Sequence, residues 1–83
     1  MSETLIGTVT HYYGHIEVAG LSVTAPLEVG DTIHVVGSTT NFTQPVESMQ
    51  IDHGEVKRVG PGDQIGIRVR DRVREHDQVF KVA

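Results

Sequence analysis

The chain has 83 residues, 37% of them hydrophobic, and no cysteine, which predicts one domain (residues 1–83) and excludes a disulfide scaffold or cysteine-ligated zinc. The first residues lack the basic and apolar segments of a secretory signal, and no apolar run approaches the roughly 20 residues that span a bilayer, so we expect a cytoplasmic protein. The net charge of −4 argues against a general nucleic-acid binder.

Alternation of apolar and polar residues runs through most of the chain, as in half-buried β-strands. Ile33 and Val35 alternate with Thr32 and His34, for example. The strands predicted in chain order are residues 5–12, 15–19, 32–37, 44–52, 64–70 and 79–82. No stretch shows a sustained helical stripe, so we expect an all-β domain.

Turns that contain aspartate precede three of the predicted strands, at Gly30-Asp31, at Gly62-Asp63 and at Asp77. Short strands at this spacing indicate a sandwich or a barrel, and a barrel is favoured because closure removes exposed sheet edges. The predicted core consists of Val9, Ile16, Val18, Leu27, Ile33, Val35, Val46, Met49, Ile51, Ile65, Ile67, Val69, Val79 and Val82.

The charges are unevenly distributed along the chain. Residues 1–54 contain six acidic and no basic residues, whereas residues 55–83 contain seven basic and five acidic ones. If the two halves occupy different surfaces, the domain has an acidic and a basic face.

Several segments carry a resemblance to a known family. They are residues 6–9, 27–33, 46–50, 60–67, 73–75 and 77–79, and together they resemble domain 2 of translation elongation factor Tu and its relatives. Residues 37–53 are most similar to a small group of elongation-factor-like proteins. These occur alone or as the C-terminal barrel of U32 peptidase-like proteins, some of which act in RNA hydroxylation. The resemblance implies a small closed six-stranded Greek-key β-barrel of the translation-protein type.

The same resemblance implies a function. In the elongation factors this domain helps to hold the acceptor end of aminoacyl-tRNA and contacts the ribosome, so the first hypothesis is a non-catalytic module that contacts tRNA or ribosomal RNA. No Gly-x-x-x-x-Gly-Lys-Ser/Thr loop is present, so no GTPase domain and no nucleotide cofactor are expected. The alternative is a docking module or subunit for a larger enzyme, of the U32 type or RNA-modifying.

An arginine-rich segment is the first candidate contact site. Arg68 and Arg70 share the outer face of a predicted strand, and Arg72 and Arg74 extend this stripe only if the strand continues past Asp71. Arginine pairs phosphate oxygens bidentately, which favours RNA contact. The alternative is a solvated face neutralised by nearby carboxylates.

A small polar loop is the second candidate. Its proposed partner-contact residues are Thr39, Thr40, Asn41, Phe42 and Gln44. Uncharged hydrogen-bonding loops suit a partner protein, and loops carry function more often than cores do. The alternative is a plain connection to the strand that contains Val46.

The remaining polar residues predict neither catalysis nor a metal site. The five histidines are scattered, and His11 and His15 alone do not make a zinc site, which needs at least three protein ligands. Of the adjacent Tyr12 and Tyr13, one is expected to be exposed because neighbouring residues in a strand face opposite sides. We therefore expect a non-enzyme without a cofactor, and a small filled barrel leaves no room for an enclosed ligand pocket.

Overall fold

The computed structural model describes residues 2–83, and all regular structure in that range is β-strand. Ten strands follow one another along the chain. They are β1 (Glu3–Tyr13), β2 (Val18–Val23), β3 (Leu27–Glu28), β4 (Thr32–Val36), β5 (Asn41–Pro45), β6 (Met49–Ile51), β7 (Gly54–Val56), β8 (Arg58–Val59), β9 (Gln64–Arg68) and β10 (Gln78–Val82). The prediction of an all-β domain is thus confirmed.

Eight of the strands form one antiparallel sheet in the order β5-β4-β10-β1-β2-β9-β6-β7, and β3 pairs with β8 in a separate two-stranded sheet. Strands β5 and β7 are the two edges of the large sheet. The sheets are therefore not closed into a barrel, and the predicted six-stranded closed barrel is wrong in this respect.

A side chain joins the two parts of the sheet where a closed barrel would have a backbone ladder. The buried Gln44 in β5 donates from Nε2 to the carbonyl of Arg68 (2.9 Å), and its Oε1 accepts from the backbone N–H of Arg70 (2.8 Å). The large sheet thus curls until β5 meets the segment after β9. Because β9 ends at Arg68, one glutamine amide replaces the missing ladder.

The core lies inside this curled sheet. Ten of the predicted core residues are buried, among them Ile33, Met49 and Ile67. Buried residues that were not predicted are Ile6, Ala19, Leu21, Val23, Val59 and Val73. Val18, Ile51 and Val82 are only partly buried.

Ile16 is the clearest error in the predicted core, because 57% of its surface is exposed. The second strand was predicted at residues 15–19, but residues 14–17 form the turn after β1, and β2 begins at Val18. Successive side chains in a turn do not alternate between core and solvent as they do in a strand. The apolar–polar pattern around Ile16 therefore did not indicate burial.

The aspartate turns are confirmed in geometry. Asp31, Asp63 and Asp77 each accept a hydrogen bond, through Oδ2, from the backbone N–H three residues earlier, at 2.8–2.9 Å. Each also donates its own N–H to the carbonyl of that residue. The three turns lead directly into β4, β9 and β10, so one local device starts three strands.

No helix in residues 2–83 has the length and apolar character needed to cross a membrane.

Candidate functional site: an outer groove on strands β2, β9 and β6

The arginine segment is exposed but does not lie on one continuous strand. Strand β9 ends at Arg68, so Arg70, Arg72 and Arg74 follow in irregular structure, all exposed. Val73, between Arg72 and Arg74, is buried. The condition for extending the stripe to Arg72 and Arg74, a strand that continues past Asp71, is therefore not met.

One of these arginines has an acidic neighbour. The Arg70 guanidinium lies 3.6 Å from the Glu47 carboxylate, and both side chains are more than half exposed. An exposed pair of this kind contributes little, about 0–1 kcal/mol. For Arg70 the structure thus agrees with the alternative of a solvated, partly neutralised face.

The polar loop is divided by the start of β5 at Asn41. Thr39 and Asn41 are exposed and Phe42 is half-buried against the core, whereas Thr40 and Gln44 are buried. The side-chain amide of Gln44 is hydrogen-bonded to the backbone of residues 68 and 70. Thr40 and Gln44 therefore do not offer the accessible surface that a partner contact requires, and contact through Thr39, Asn41 and Phe42 stays a prediction.

A groove of about 480 Å³ lies on the outer face of the sheet. Its floor contains Gly20 of β2 and Gly66 of β9, which are directly paired, and Gly66 also pairs with Gln50 of β6. Without a Cβ at either glycine, the outer surface is lowest where the two strands meet. A smaller depression of about 90 Å³ continues past Val18 to Arg68.

The wall on the side of β1 is partly apolar. Tyr13, 47% exposed, and Ile16, 57% exposed, both line the groove, together with Thr10. The Tyr13 ring also contacts the ring of His11, with 4.4 Å between centroids. One of the two adjacent tyrosines is thus exposed, as expected, while Tyr12 packs against the core.

The opposite wall is polar and includes the tip of the β6–β7 hairpin. Gln50, Asp52 and His53 line it, and Gln64 lies at the same end as Asp52. Asp52 and His53 both have positive φ angles, of 49° and 67°. The groove therefore combines an apolar wall, neutral amides and one carboxylate, without a cluster of cations.

The arrangement suits binding of uncharged hydrogen-bonding groups along an apolar edge. In the described part of the chain, no three histidine, aspartate or glutamate side chains are grouped so that they could hold a metal ion. The groove is open to solvent. Its presence therefore does not conflict with the expectation that the domain has no enclosed ligand pocket.

Sequence reasoning missed the groove because its central residues carry no side chain. The predicted strand 15–19 ends before Gly20, and Gly66 lies inside the predicted strand 64–70. A glycine inside a strand pattern does indicate close approach of another backbone. That signal was present at Gly66, but only the pairing of β2 with β9 shows that the two glycines are neighbours.

This fold is also found in the C-terminal domain of a Geobacillus thermoleovorans protein assigned to the U32 peptidases. Its crystal structure superimposes with a TM-score of 0.90, covers 96% of this chain and 93% of that domain, and has 20% sequence identity. The selenomethionine variant of the same domain gives a TM-score of 0.86. At this identity, the likeness shows the fold alone.

The sequence relatives are also named as proteolytic enzymes. A Methanocaldococcus jannaschii protein named an uncharacterized protease is 37% identical over 76 residues, which is 90% of this chain and 19% of that protein. A Porphyromonas gingivalis collagenase is 28% identical over 81 residues. The chain thus spans about a fifth of the length of the curated relatives it matches. No family model matches the chain.

These comparisons correct the translation hypothesis. The relatives and the structural neighbours are named as peptidases, a protease and a collagenase, and none is a translation factor. The elongation-factor side of the resemblance is therefore unsupported, while the likeness to the C-terminal domain of a U32-type protein is confirmed for the fold. RNA contact by the four arginines stays a prediction, but relatives in translation no longer support it.

Proposed function

We propose that this chain is a non-catalytic β module of a U32-type peptidase, acting either within the same polypeptide or as a separate subunit. One observation carries the proposal: the chain matches only about a fifth of its protease and collagenase relatives, and its fold matches an isolated C-terminal domain of a U32-type protein. The other four-fifths of each relative has room for the catalytic centre.

The physical properties of the module support an accessory role. An 83-residue chain buries one modest core, and here that core fills the inside of the curled sheet with aliphatic side chains. What the module offers a partner is its outer surface, with a groove, an acidic N-terminal half and exposed arginines. A cytoplasmic location is part of the proposal and is tested by fractionating cells that produce the chain.

Co-expression tests the proposal. The tagged chain is produced with each U32-type protein encoded in the same organism. Complexes are then isolated, and their molar masses are measured by light scattering. We expect one of these proteins to co-elute with the chain at a fixed ratio, and we expect the isolated chain to leave gelatin and casein uncleaved. Cleavage by the isolated chain would show that it is an enzyme. Absence of every U32-type protein from the complexes would exclude the hypothesis that the chain is a separate subunit of such a protein.

A complementary experiment covers the case of a single polypeptide. In the Methanocaldococcus jannaschii relative, the 76 matching residues are replaced by those of this chain, and peptide hydrolysis is compared with that of the intact protein. Retention of activity is expected if the two modules are interchangeable. A folded chimera that has lost all activity would contradict the proposal.

A further inference from the structure

We infer that the groove on β2, β9 and β6 binds an extended, unfolded segment of the polypeptide substrate of the peptidase that this module serves. The source of the polypeptide rests on the proposed function, whereas the class of ligand rests on the groove itself. Its dimensions, its floor, its polar groups and its charges each point to a peptide strand.

The length of the groove fits a short extended peptide. Strands β2 and β9 pair from Ser22↔Gln64 to Val18↔Arg68, five residue pairs that span about 13 Å. A peptide of four or five extended residues has the same length. The walls stand on either side of this pair of strands, so the ligand lies parallel to them.

The floor permits a polypeptide backbone to come close. A Cβ added at Gly66 would lie 3.2 Å from Val18 Cγ1, and one added at Gly20 would lie 3.1 Å from Thr10 Oγ1. Side chains at these two positions would therefore occupy the space above the sheet. Glycine commonly marks places where a ligand or another backbone approaches closely.

The uncharged polar groups match peptide groups. Thr10, Gln50 and Gln64 line the groove, and each offers both a donor and an acceptor, as the N–H and C=O of a peptide require. Phosphate ligands are usually held by several cations or backbone N–H groups, and the only arginine in the two depressions is Arg68, at one end. Exposed Tyr13 and Ile16 supply contact for an apolar side chain.

Charge fixes the direction of the ligand. Because β6 runs antiparallel to β9, Asp52 lies beyond Gln50 on the side of Gln64, while Arg68 lies at the opposite end. Glu55, exposed and paired with Gln50 in β7, is a second carboxylate outside the groove lining. The complementary peptide carries a basic side chain near Asp52, an apolar side chain at Ile16 and a carboxylate near Arg68.

The test is an amide chemical-shift titration of the isotope-labelled chain with two synthetic ten-residue peptides. Both contain a central leucine and an acidic residue, and they differ only in a lysine that is replaced by glutamate in the second. We expect shifts centred on Gly20 and Gly66, and about threefold tighter binding of the lysine peptide. Absence of these shifts at millimolar peptide would overturn the inference.

Exposed residues allow variants that leave the fold intact. Ile16→Ser is expected to weaken binding about fivefold, because it removes apolar contact area, whereas the matched Leu5→Ser, an aliphatic residue 41% exposed and outside the groove, is expected to have no effect. Asp52→Asn should abolish the preference for lysine, and Asp71→Asn should not. Equal effects within either matched pair would contradict a groove-specific site.

The outcomes separate this inference from the proposed function. If a U32-type protein co-elutes with the chain but no peptide shifts Gly20 or Gly66, the module role stands and the groove inference fails. If Ile16→Ser breaks the complex with the U32-type protein and leaves peptide binding unchanged, the groove is a docking face for the enzyme, and the inference is again wrong. Peptide binding without any U32-type partner would exclude only the separate-subunit form of the proposed function and would leave the groove inference standing.

Discussion

Individual residues with left-handed backbone are the most informative local feature of this chain. Among non-glycine residues in the described range, Glu17, Asp52, His53 and His76 have positive φ. This conformation brings Cβ close to the following carbonyl oxygen and costs about 1–2 kcal/mol for most residues. His76 holds, in the third aspartate turn, the position that Gly30 and Gly62 hold in the first two.

Replacing His53 by glycine should stabilise the domain. Asp52 and His53 form a two-residue connection between β6 and β7, and positive φ at both positions is the requirement of a type I′ hairpin turn, which favours Asn-Gly or Asp-Gly. We expect His53→Gly to raise the free energy of unfolding by about 0.5–1 kcal/mol in urea denaturation. The matched control is His15→Gly, in a turn position that does not have positive φ. A gain of the same size at both positions would show that backbone strain is not the cause.

At the scale of elements, two side chains form hydrogen bonds to other parts of the sheet. Gln44 joins β5 to the segment after β9. His34 of β4 donates from Nε2 to Asn41 Oδ1 of β5 (2.6 Å), and its Nδ1 lies 2.9 Å from Glu3 Oε2 of β1. Gln44 replaces a missing ladder, whereas His34 adds to the existing β4–β5 ladder and also reaches β1 across β10. Both residues should be sensitive to substitution.

Truncation of Gln44 should open the seam between β5 and the end of β9. Gln44→Ala leaves a buried backbone carbonyl and N–H without their partners, which costs about 1–3 kcal/mol of unfolding free energy. Hydrogen exchange should rise most at the Arg70 amide, which Gln44 protects. Gln64→Ala, an exposed glutamine bonded only to Ser22 Oγ, is the control and should change stability by less than about 0.5 kcal/mol. An unchanged hydrogen-exchange rate at the Arg70 amide would show that Gln44 does not hold β5 to the segment after β9.

Stability should depend on pH through His34. The hydrogen bond to Asn41, then that to Glu3, raises the pKa of His34 above its usual value of 6.5, because an acceptor faces each ring nitrogen. A raised folded-state pKa means that the protonated form stabilises the fold. This contribution is complete below pH 6.5 and is lost as the pH rises through the folded-state pKa. Denaturation midpoints measured across this range should fall for the natural chain and stay flatter for His34→Gln. His15→Gln should keep the pH dependence of the natural chain.

The whole molecule is a curled sheet with an aliphatic inside and a chemically varied outside. Ile6 and Ile16 belong to the same residue type, yet Ile6 is fully buried and Ile16 is 57% exposed beside the groove. The difference in exposure between these two isoleucines reflects the different roles of the two faces of the sheet. The inner face supplies stability, and the outer face presents the groove and the charged segments.

A pair of substitutions tests this division. Ile6→Ala should lower the free energy of unfolding by about 2–5 kcal/mol, because it removes buried methyl groups and leaves a cavity. Ile16→Ser should change it by less than about 0.5 kcal/mol, since the side chain is exposed in the folded state. Thermal unfolding followed by circular dichroism measures both. A large loss on Ile16→Ser would show that this residue is part of the core and not of a contact surface.

The sequence by itself determined the strand class and the local turns. Alternation of apolar residues depends only on the two-residue period of a strand, and an aspartate turn closes within four residues, so Asp31, Asp63 and Asp77 were placed correctly from local chemistry. Most of the core followed for the same reason, because Ile33, Val35 and Ile67 alternate in strands that do form.

Only the tertiary structure decided closure, the position of Ile16 and the groove. Whether β5 meets the end of β9 through a ladder or through the amide of Gln44 depends on contacts more than twenty residues apart, which no local pattern records. The groove exists because Gly20 and Gly66, 46 positions apart, are paired across β2 and β9. A missing side chain gives no periodic signal, so strand pairing had to bring the two glycines together before their shared surface became visible.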